Sequence, residues 1–140
     1  MSSPTDPDGS PPDGDEPAVQ FSAAELAYLL GERRLGRLAT ADAPGRPHVV
    51  PVGWSYNSDL GTVDVSGRNF AATRKYRNVQ ANPHAALVVD DVLPPWRPRC
   101  VLVQGPARSL EAGAGGGTEA MIRITPHKIT SWGLDADPAQ

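Results

Sequence analysis

The chain has 140 residues, a length typical of one domain, and a formal net charge of −3 at pH 7. Five of its 16 acidic residues lie in the first twenty positions, leaving 11 acids against 13 Lys and Arg, a balance too weak to favour nucleic-acid binding. No run approaches the roughly 18 apolar residues of a membrane span, and the N-terminus lacks the basic start of a signal peptide. We therefore expect a cytoplasmic protein without membrane or nucleic-acid partners.

The first twenty residues, MSSPTDPDGSPPDGDEPAVQ, are predicted to form a disordered acidic tail. They contain five prolines and too little apolar surface to offset the entropy cost of ordering. We expect the folded domain to span residues 21–135 and a short C-terminal tail to follow at 136–140.

The first predicted element is a helix over about residues 23–32. Ser22 followed by Glu25 has the spacing of a capping box, and Gly31 is a plausible end. Three predicted strands follow, in the runs RLGRLATA, HVVPVGWSY and TVDVS, separated by the turn signals DAPGRP and NSDLG. Pro51 removes one ladder donor, so the second strand is expected at a sheet edge or to be bulged there.

A second helix is predicted in FAATRKYRNVQAN, with Asn69 as its N-cap and Pro83 closing it. Three more strands are predicted in HAALVVD, RCVLVQGPARSLEA and MIRITPHKITSWG, with DVLPPWRP as a loop. Short strands joined by tight turns favour antiparallel pairing. The fold class is therefore mainly β with flanking helices, a six-stranded antiparallel sheet closed into a small barrel, because closure removes exposed edges.

Side chains for hydrolytic or metal chemistry are sparse. No G-x-S-x-G elbow or phosphate-binding glycine motif is present, and the three histidines lack metal-ligand spacing, so we name no metal site and no catalytic residue. Cys100 is the only cysteine and is expected to be a buried, inert thiol. Asp90 and Asp91 are predicted to point to opposite faces of a solvated strand end. A chain with so few reactive side chains suggests that a bound redox cofactor supplies the chemistry.

Positive charge is concentrated in one segment, SGRNFAATRKYRNVQANP, which holds Arg68, Arg74, Lys75 and Arg77. The TRK triplet lies near the start of the predicted second helix, where free backbone N–H groups favour anions. The pattern fits a phosphate or a chain of carboxylates. On composition alone, a solvated basic helix face is the alternative.

The order of four motifs resembles a known family: GRLATADAPGRPHVVPVGWSY, GRNFAATRKYRNVQANPHAALVVDD, PWRPRCVLVQGPA and IRITPHKITSWG. From about Phe21 to Leu134 the chain resembles the pyridoxamine 5'-phosphate oxidase-like superfamily, whose fold is the FMN-binding split β-barrel. More narrowly, it resembles the branch of actinobacterial enzymes that use the deazaflavin coenzyme F420, and within it the subgroup that contains dehydrotetracycline reductases.

The resemblance implies a set of cofactor-binding residues. The strand that runs along the flavin or deazaflavin ring corresponds to His48, Val49, Val50, Pro51, Val52 and Gly53. The phosphate-binding Ser-Arg-Lys of the flavin oxidases corresponds to Thr73, Arg74 and Lys75, and the adjoining strand end corresponds to Ser66 and Gly67, followed by Arg68 and Asn69. The family site lies at a homodimer interface, so Trp132 is expected to cover the ring from the partner chain or else to pack in the core.

Two departures from the oxidases argue against pyridoxamine phosphate as the substrate. Cys100 stands where the oxidases have a flavin-contacting Gln, and the Arg- and His-bearing segment expected after SWG is missing. The segment GRNFAA is also longer than its oxidase counterpart, and its extra cations suit F420, whose tail carries a phosphodiester and glutamate carboxylates.

The resulting hypothesis is an F420-dependent reductase that transfers hydride to an acceptor with an activated double bond. Trp54, Tyr56 and Trp96 are the candidate substrate wall. The alternatives are an FMN-binding oxidoreductase and an F420 carrier without turnover.

Overall fold

A computed structural model describes residues 18–114 and 119–134. Helix α1 spans Ala23–Gly31 and α2 spans Arg74–Ala81, with a 3-10 turn at Phe70–Ala72 before α2. The strands are β1 Gly36–Ala41, β2 Pro47–Val52, β3 Ser55–Asn57, β4 Thr62–Ser66, β5 His84–Leu93, β6 Arg97–Leu110, β7 Met121–Ile124 and β8 Lys128–Trp132. In these ranges no helix has the length and apolar character to cross a membrane.

The predicted tails fall mostly outside this description. Residues 1–17 and 136–140 are not among the described residues. Residues 18–20 form no helix or strand, and the Val19 N–H donates to the Pro126 carbonyl over 3.0 Å.

The prediction of six strands was wrong, because two runs each split into two strands. HVVPVGWSY divides into β2 and β3 at Gly53: β2 pairs with β1, whereas β3 pairs with β4. MIRITPHKITSWG divides into β7 and β8, which pair with successive parts of β6. Between those parts the chain passes so close to Gly105 that a Cβ there would lie 1.9 Å from the Thr125 carbonyl oxygen.

The strands form one antiparallel sheet in the order β2-β1-β5-β6-β7-β4-β3, and β8 also pairs with β6. Among the described strands, β2 and β3 end this order without pairing to each other, so closure into a barrel stays a prediction. The edge position predicted from Pro51 is confirmed: β2 is outermost, with Pro51 opposite Arg37 of β1. An edge strand tolerates the missing donor because one of its sides has no ladder.

Of the two predicted helix caps, the one at α1 is confirmed and the one at α2 is wrong. The Ser22 Oγ accepts from the Glu25 N–H at 3.1 Å and the Glu25 Oε1 accepts from the Ser22 N–H at 2.8 Å, which confirms the capping box. Asn69 is not a cap: it adopts the left-handed conformation, with φ of 50°, and its side chain forms no capping bond. Thr73 caps α2 instead, because the 3-10 turn occupies the residues between them.

The segment DVLPPWRP, predicted as a loop, belongs mostly to strands. β5 continues to Leu93 and β6 begins at Arg97, so a tight turn at residues 94–96 joins a long hairpin. Because β5 and β6 stay paired up to Leu93 and Arg97, the turn lies far from the centre of the sheet, with Trp96 at the tip of the hairpin.

The hairpin is tied to α1 through Asp91. The carboxylates of Asp90 and Asp91 point to opposite faces of the strand, as predicted. Asp91, however, is not the solvated residue that was predicted, because its carboxylate accepts from the Tyr28 hydroxyl at 2.8 Å and from Arg34 and Arg99. Asp90, on the other face, pairs with Arg37. The hydrogen bond from Arg99 outweighs burial and lowers the pKa of Asp91 to about 2.

Candidate functional site

Two cavities lie at the two ends of the edge strand β2. The first, which we call the Arg74 cavity, has a volume of about 330 Å³. It is lined by Asp42, Arg46, Pro47, His48, Arg74 and Asn78. It therefore brings together two residues predicted for the cofactor site, His48 from β2 and Arg74 from α2.

The charges in the Arg74 cavity leave one cation free. The Arg46 Nε donates to the Asp42 carboxylate over 2.7 Å, and the backbone N–H of Arg46 donates to it over 2.8 Å. These bonds, the backbone one foremost, lower the pKa of Asp42 and pair its charge with Arg46. Arg74 forms no hydrogen bond or ion pair with another described residue. The cavity thus presents an unpaired guanidinium, the group best suited to an oxyanion.

His48 also lines the Arg74 cavity. It stands opposite Thr40 in the β1–β2 ladder, and the Thr40 hydroxyl accepts from the Asn78 amide at 3.1 Å. The His48 Nδ1 is buried and has no hydrogen-bond partner among the described residues. A buried polar atom without a partner is costly unless a ligand or water completes it.

The start of α2 contributes a third feature. The Thr73 Oγ accepts from the Tyr76 N–H at 3.4 Å and its hydroxyl donates to the Phe70 carbonyl at 2.6 Å. Thr73 therefore fixes the helix start, and Arg74 is the first helical residue. The first-turn N–H groups of a helix have no intrahelical acceptor, which favours an anion at this end.

The other predicted cations do not converge on Arg74. The Lys75 ammonium lies 5.1 Å from the centre of the Phe70 ring, and the Arg77 guanidinium donates to the Ala72 carbonyl at 2.8 Å. Arg68 is exposed in the β4–α2 connection. A further cavity of about 440 Å³, away from β2 and next to Phe70, is lined by Gly67, Asn69, Phe70, Ala71, Glu119 and Ala120 among others. Ser66 lies exposed at the adjoining end of β4.

The strand β2 connects the two cavities. Its Pro47, Val49 and Pro51 side chains are exposed and its Val52 side chain is buried, while His48 and Val50 are half-buried. At about 3.3 Å per residue, the five steps from His48 to Gly53 span roughly 17 Å. The strand therefore offers one extended surface, with an unpaired backbone edge, between the Arg74 cavity and Gly53.

The cavity at the far end of β2, which we call the Trp54 cavity, has a volume of about 500 Å³. It lies between the end of α1 and β3, and its lining includes Leu30, Arg33, Leu35, Gly53, Trp54 and Tyr56. The Trp54 indole N–H donates to the Arg34 carbonyl at 2.8 Å, and the Tyr56 ring meets Phe21 edge-on, with centroids 5.7 Å apart. Two of the three predicted wall residues, Trp54 and Tyr56, are thus held in place.

Two predicted tryptophans lie elsewhere. Trp96 is 76 % exposed at the β5–β6 turn, and Trp132 is 52 % exposed on β8, opposite Cys100. Neither lines the Trp54 cavity, so a single chain does not bring Trp96 together with Trp54 and Tyr56. Cys100 is buried as expected, and desolvation by burial raises the pKa of its thiol.

Several residues that line the two cavities were not predicted from the sequence. Asp42, Arg46 and Asn78 were read only as turn or helix positions, although the four-residue spacing of Asp42 and Arg46 around a tight turn hinted at an ion pair. Leu30 falls in the predicted first helix, Leu35 falls in the predicted first strand, and Arg33 lies between these two elements. Their role becomes visible only once the β2–β3 break places Trp54 against them.

Comparison with known proteins finds a matching family and a similar reductase. The family model for pyridoxamine 5'-phosphate oxidase matches residues 22–133. A 5a,11a-dehydrotetracycline/5a,11a-dehydrooxytetracycline reductase of Streptomyces rimosus subsp. rimosus is 39% identical over 125 residues, which cover 85% of this chain and 87% of the relative.

Solved structures share the fold at low sequence identity. A conserved hypothetical protein of Mycobacterium tuberculosis superposes with a TM-score of 0.66 at 19% identity, covering 89% of this chain and 91% of the other. A FAD-binding protein of Mesorhizobium loti superposes with a TM-score of 0.60 at 23% identity, covering 79% of this chain and 94% of the other. An F420 reductase gives 0.57 at 23% identity, with 74% and 94% covered. At these identities the likeness establishes the fold alone.

Proposed function

Because the chain belongs to the pyridoxamine 5'-phosphate oxidase family, we propose that it is an oxidoreductase that uses coenzyme F420 to reduce a small organic acceptor with an activated double bond. The S. rimosus relative is a reductase by name, and one structural neighbour is an F420 reductase. We retain the split β-barrel as the proposed arrangement of the sheet and the cytoplasm as the proposed location.

One observation carries the proposal: Arg74 and His48 line the same cavity at the start of α2, and neither the Arg74 guanidinium nor the buried His48 Nδ1 has a partner among the described residues. A guanidinium, a helix N-terminus and an imidazole together suit a phosphate. The residues present therefore fit the phosphate-bearing end of F420, which Arg74 and His48 would hold.

The remaining predicted residues would hold the rest of the molecule. The exposed edge of β2, His48–Gly53, would support the ring through its backbone. The cavity beside Phe70, with Gly67 and Asn69, opens near Ser66, Arg68, Thr73 and Lys75, and we propose that these residues receive the carboxylate tail. When bound, reduced F420 supplies the hydride. The chain's own contribution is to hold donor and acceptor at reactive distance and to exclude water.

Trp54 and Tyr56 would orient the acceptor at the Gly53 end of the strand. Their indole and phenol rings are already fixed by the Arg34 carbonyl and by Phe21, so little ordering would be needed on binding. Trp96 and Trp132 would reach this region only from a second copy of the chain.

We propose a homodimer that packs through the outer face of the sheet. Alternate residues of paired strands share this face: Ala39 stands opposite Val49, and Val88 stands opposite Leu102. Val49 is 65% exposed and Trp132 is 52% exposed, and an interface on this face would remove both side chains from water. Light scattering should give the mass of two chains, and a monomer mass at micromolar concentration would contradict this part of the proposal.

An FMN-binding oxidoreductase is the second candidate, because a FAD-binding protein is among the structural neighbours and a phosphate site serves either cofactor. A carrier that binds F420 without turnover is the third.

The proposal is tested by mixing reduced F420 with the protein and 5a,11a-dehydrotetracycline, the compound in the name of the relative, together with quinone and unsaturated-lactone acceptors. Return of oxidised F420 absorbance in proportion to protein concentration is the expected result. Turnover with reduced FMN instead would select the second candidate. Tight F420 binding with no acceptor reduced would select the carrier.

A further inference from the structure

The Trp54 cavity exposes an unusual amount of apolar side chain. Leu30 is 63% exposed and Leu35 is 62% exposed, and both line this cavity beside the half-buried Trp54 and Tyr56. Its volume of about 500 Å³ falls within the range of small-molecule sites. These side chains would lose their contact with water if a flat apolar molecule lay between them.

A single free cation borders the same cavity. The Arg34 guanidinium donates to the Asp91 carboxylate and to the Tyr28 carbonyl, and it lies 3.6 Å from the Glu32 carboxylate. Arg33, by contrast, forms no hydrogen bond or ion pair with another described residue. Glu32 is directed to Arg34, so the guanidinium of Arg33 is the charge left for a ligand.

We infer that the Trp54 cavity binds an aromatic, largely apolar molecule that carries one anionic group, with Leu30, Leu35 and Trp54 against its ring system and Arg33 against its charge. In the proposed function, which this assignment deepens, that molecule is the acceptor. Its site lies roughly 17 Å along β2 from the Arg74 cavity, so the acceptor and the cofactor phosphate occupy opposite ends of the strand.

The inference is tested without cofactor or turnover, using two fluorescent probes that share one ring system. 8-Anilinonaphthalene-1-sulfonate carries an anionic group, and N-phenyl-1-naphthylamine lacks it. Both are titrated into the full chain, into Arg33→Gln and Leu35→Asn, and into Arg108→Gln. The last variant is a matched control, because Arg108 is exposed on β6 and lines neither cavity.

Arg33→Gln is expected to weaken binding of the sulfonate probe by roughly threefold to fivefold, the range of an exposed ion pair. Binding of the neutral probe should stay within about twofold of its value in the unaltered chain. Leu35→Asn should weaken both probes by at least about fivefold. Arg108→Gln should change neither.

The inference would be overturned if Arg33→Gln weakened binding of both probes equally, or if neither Arg33→Gln nor Leu35→Asn weakened binding of any probe. Failure of either probe to bind the unaltered chain would overturn it as well. These outcomes are independent of F420: the proposed function fails if F420 does not bind, whatever the probes do.

Discussion

Arg99 holds the Asp91 carboxylate through two hydrogen bonds, of 2.9 Å from Nε to Oδ1 and 2.6 Å from Nη2 to Oδ2. Tyr28 and Arg34 donate to the same carboxylate from α1 and from the segment that follows it. This cluster fixes the β5–β6 hairpin against the helix whose C-terminal end borders the Trp54 cavity. The position of this helix end, and with it one side of the Trp54 cavity, is therefore stabilised by a single carboxylate.

Asp91→Asn is expected to lower the free energy of unfolding by about 2–3 kcal/mol, because it leaves Arg34 and Arg99 partly buried without a counter-charge. Urea unfolding followed by tryptophan fluorescence measures the loss. Asp90→Asn is the matched control on the same strand: its exposed pair with Arg37 should contribute about 0–1 kcal/mol. Equal losses in the two variants would contradict the role given to the cluster.

The same carboxylate predicts an acid-sensitive contribution to stability. Its pKa is about 2 in the folded chain, against roughly 3.9 for an unfolded Asp. The unfolded chain therefore binds this proton first, and the contribution is fully present above about pH 4 and is lost as the pH falls towards 2. The difference in unfolding free energy between the unaltered chain and Asp91→Asn should be constant from pH 7 to 5 and should narrow at pH 3. A difference that widens on acidification would have the wrong sign.

Gly105 predicts a strong effect of a single methyl group. A Cβ at this position would meet the Thr125 carbonyl oxygen at 1.9 Å, and that oxygen belongs to backbone that cannot rotate away. Gly105→Ala should therefore cost at least about 3 kcal/mol of stability, or prevent folding. Gly31→Ala is the control, since nothing lies within 4 Å of a Cβ there. A Gly105→Ala protein with unchanged thermal stability would contradict the crossing of β6 by the β7–β8 connection.

The sequence predicted those parts of the fold that depend on local chemistry. The capping box of α1, the edge position of β2 from Pro51, and the burial of Cys100 all follow from the residues themselves. The split of two runs into four strands does not, because β2 and β3 pair with different strands, and β7 and β8 with different parts of β6, and those partners lie in distant segments. Asp91 was misjudged for the same reason: its partners, Tyr28 and Arg34, are more than fifty residues away.

The candidate site shows the same division. Arg74 could be singled out from its place at a helix start, and His48 only through a family resemblance. Lys75 and Arg77 belong to the same basic segment, yet the helix turns them towards Phe70 and Ala72. Arg33 and Leu35 carried no signal, since an exposed Arg and Leu near a helix end are ordinary until a cavity forms beside them.

The anion site predicts a graded loss of cofactor affinity. The double variant Arg74→Ala plus Lys75→Ala is expected to weaken F420 binding by more than tenfold while the circular dichroism spectrum is unchanged. Arg74→Ala alone should account for most of this loss, because Lys75 packs over Phe70 and does not line the Arg74 cavity. Arg108→Ala removes an equal charge from outside the cavity and should have no effect. Unchanged affinity in the double variant would remove the basis of the site.

The most direct measurement is a side-by-side titration of the purified apoprotein with F420 and with FMN, followed by cofactor fluorescence. The account predicts micromolar or tighter binding of F420 and much weaker binding of FMN, with both weakened by Arg74→Ala. Preference for FMN would move the protein to a flavin-dependent function. Binding of neither would mean that Arg74 and its neighbours are a solvated helix face, and the proposed function would be wrong.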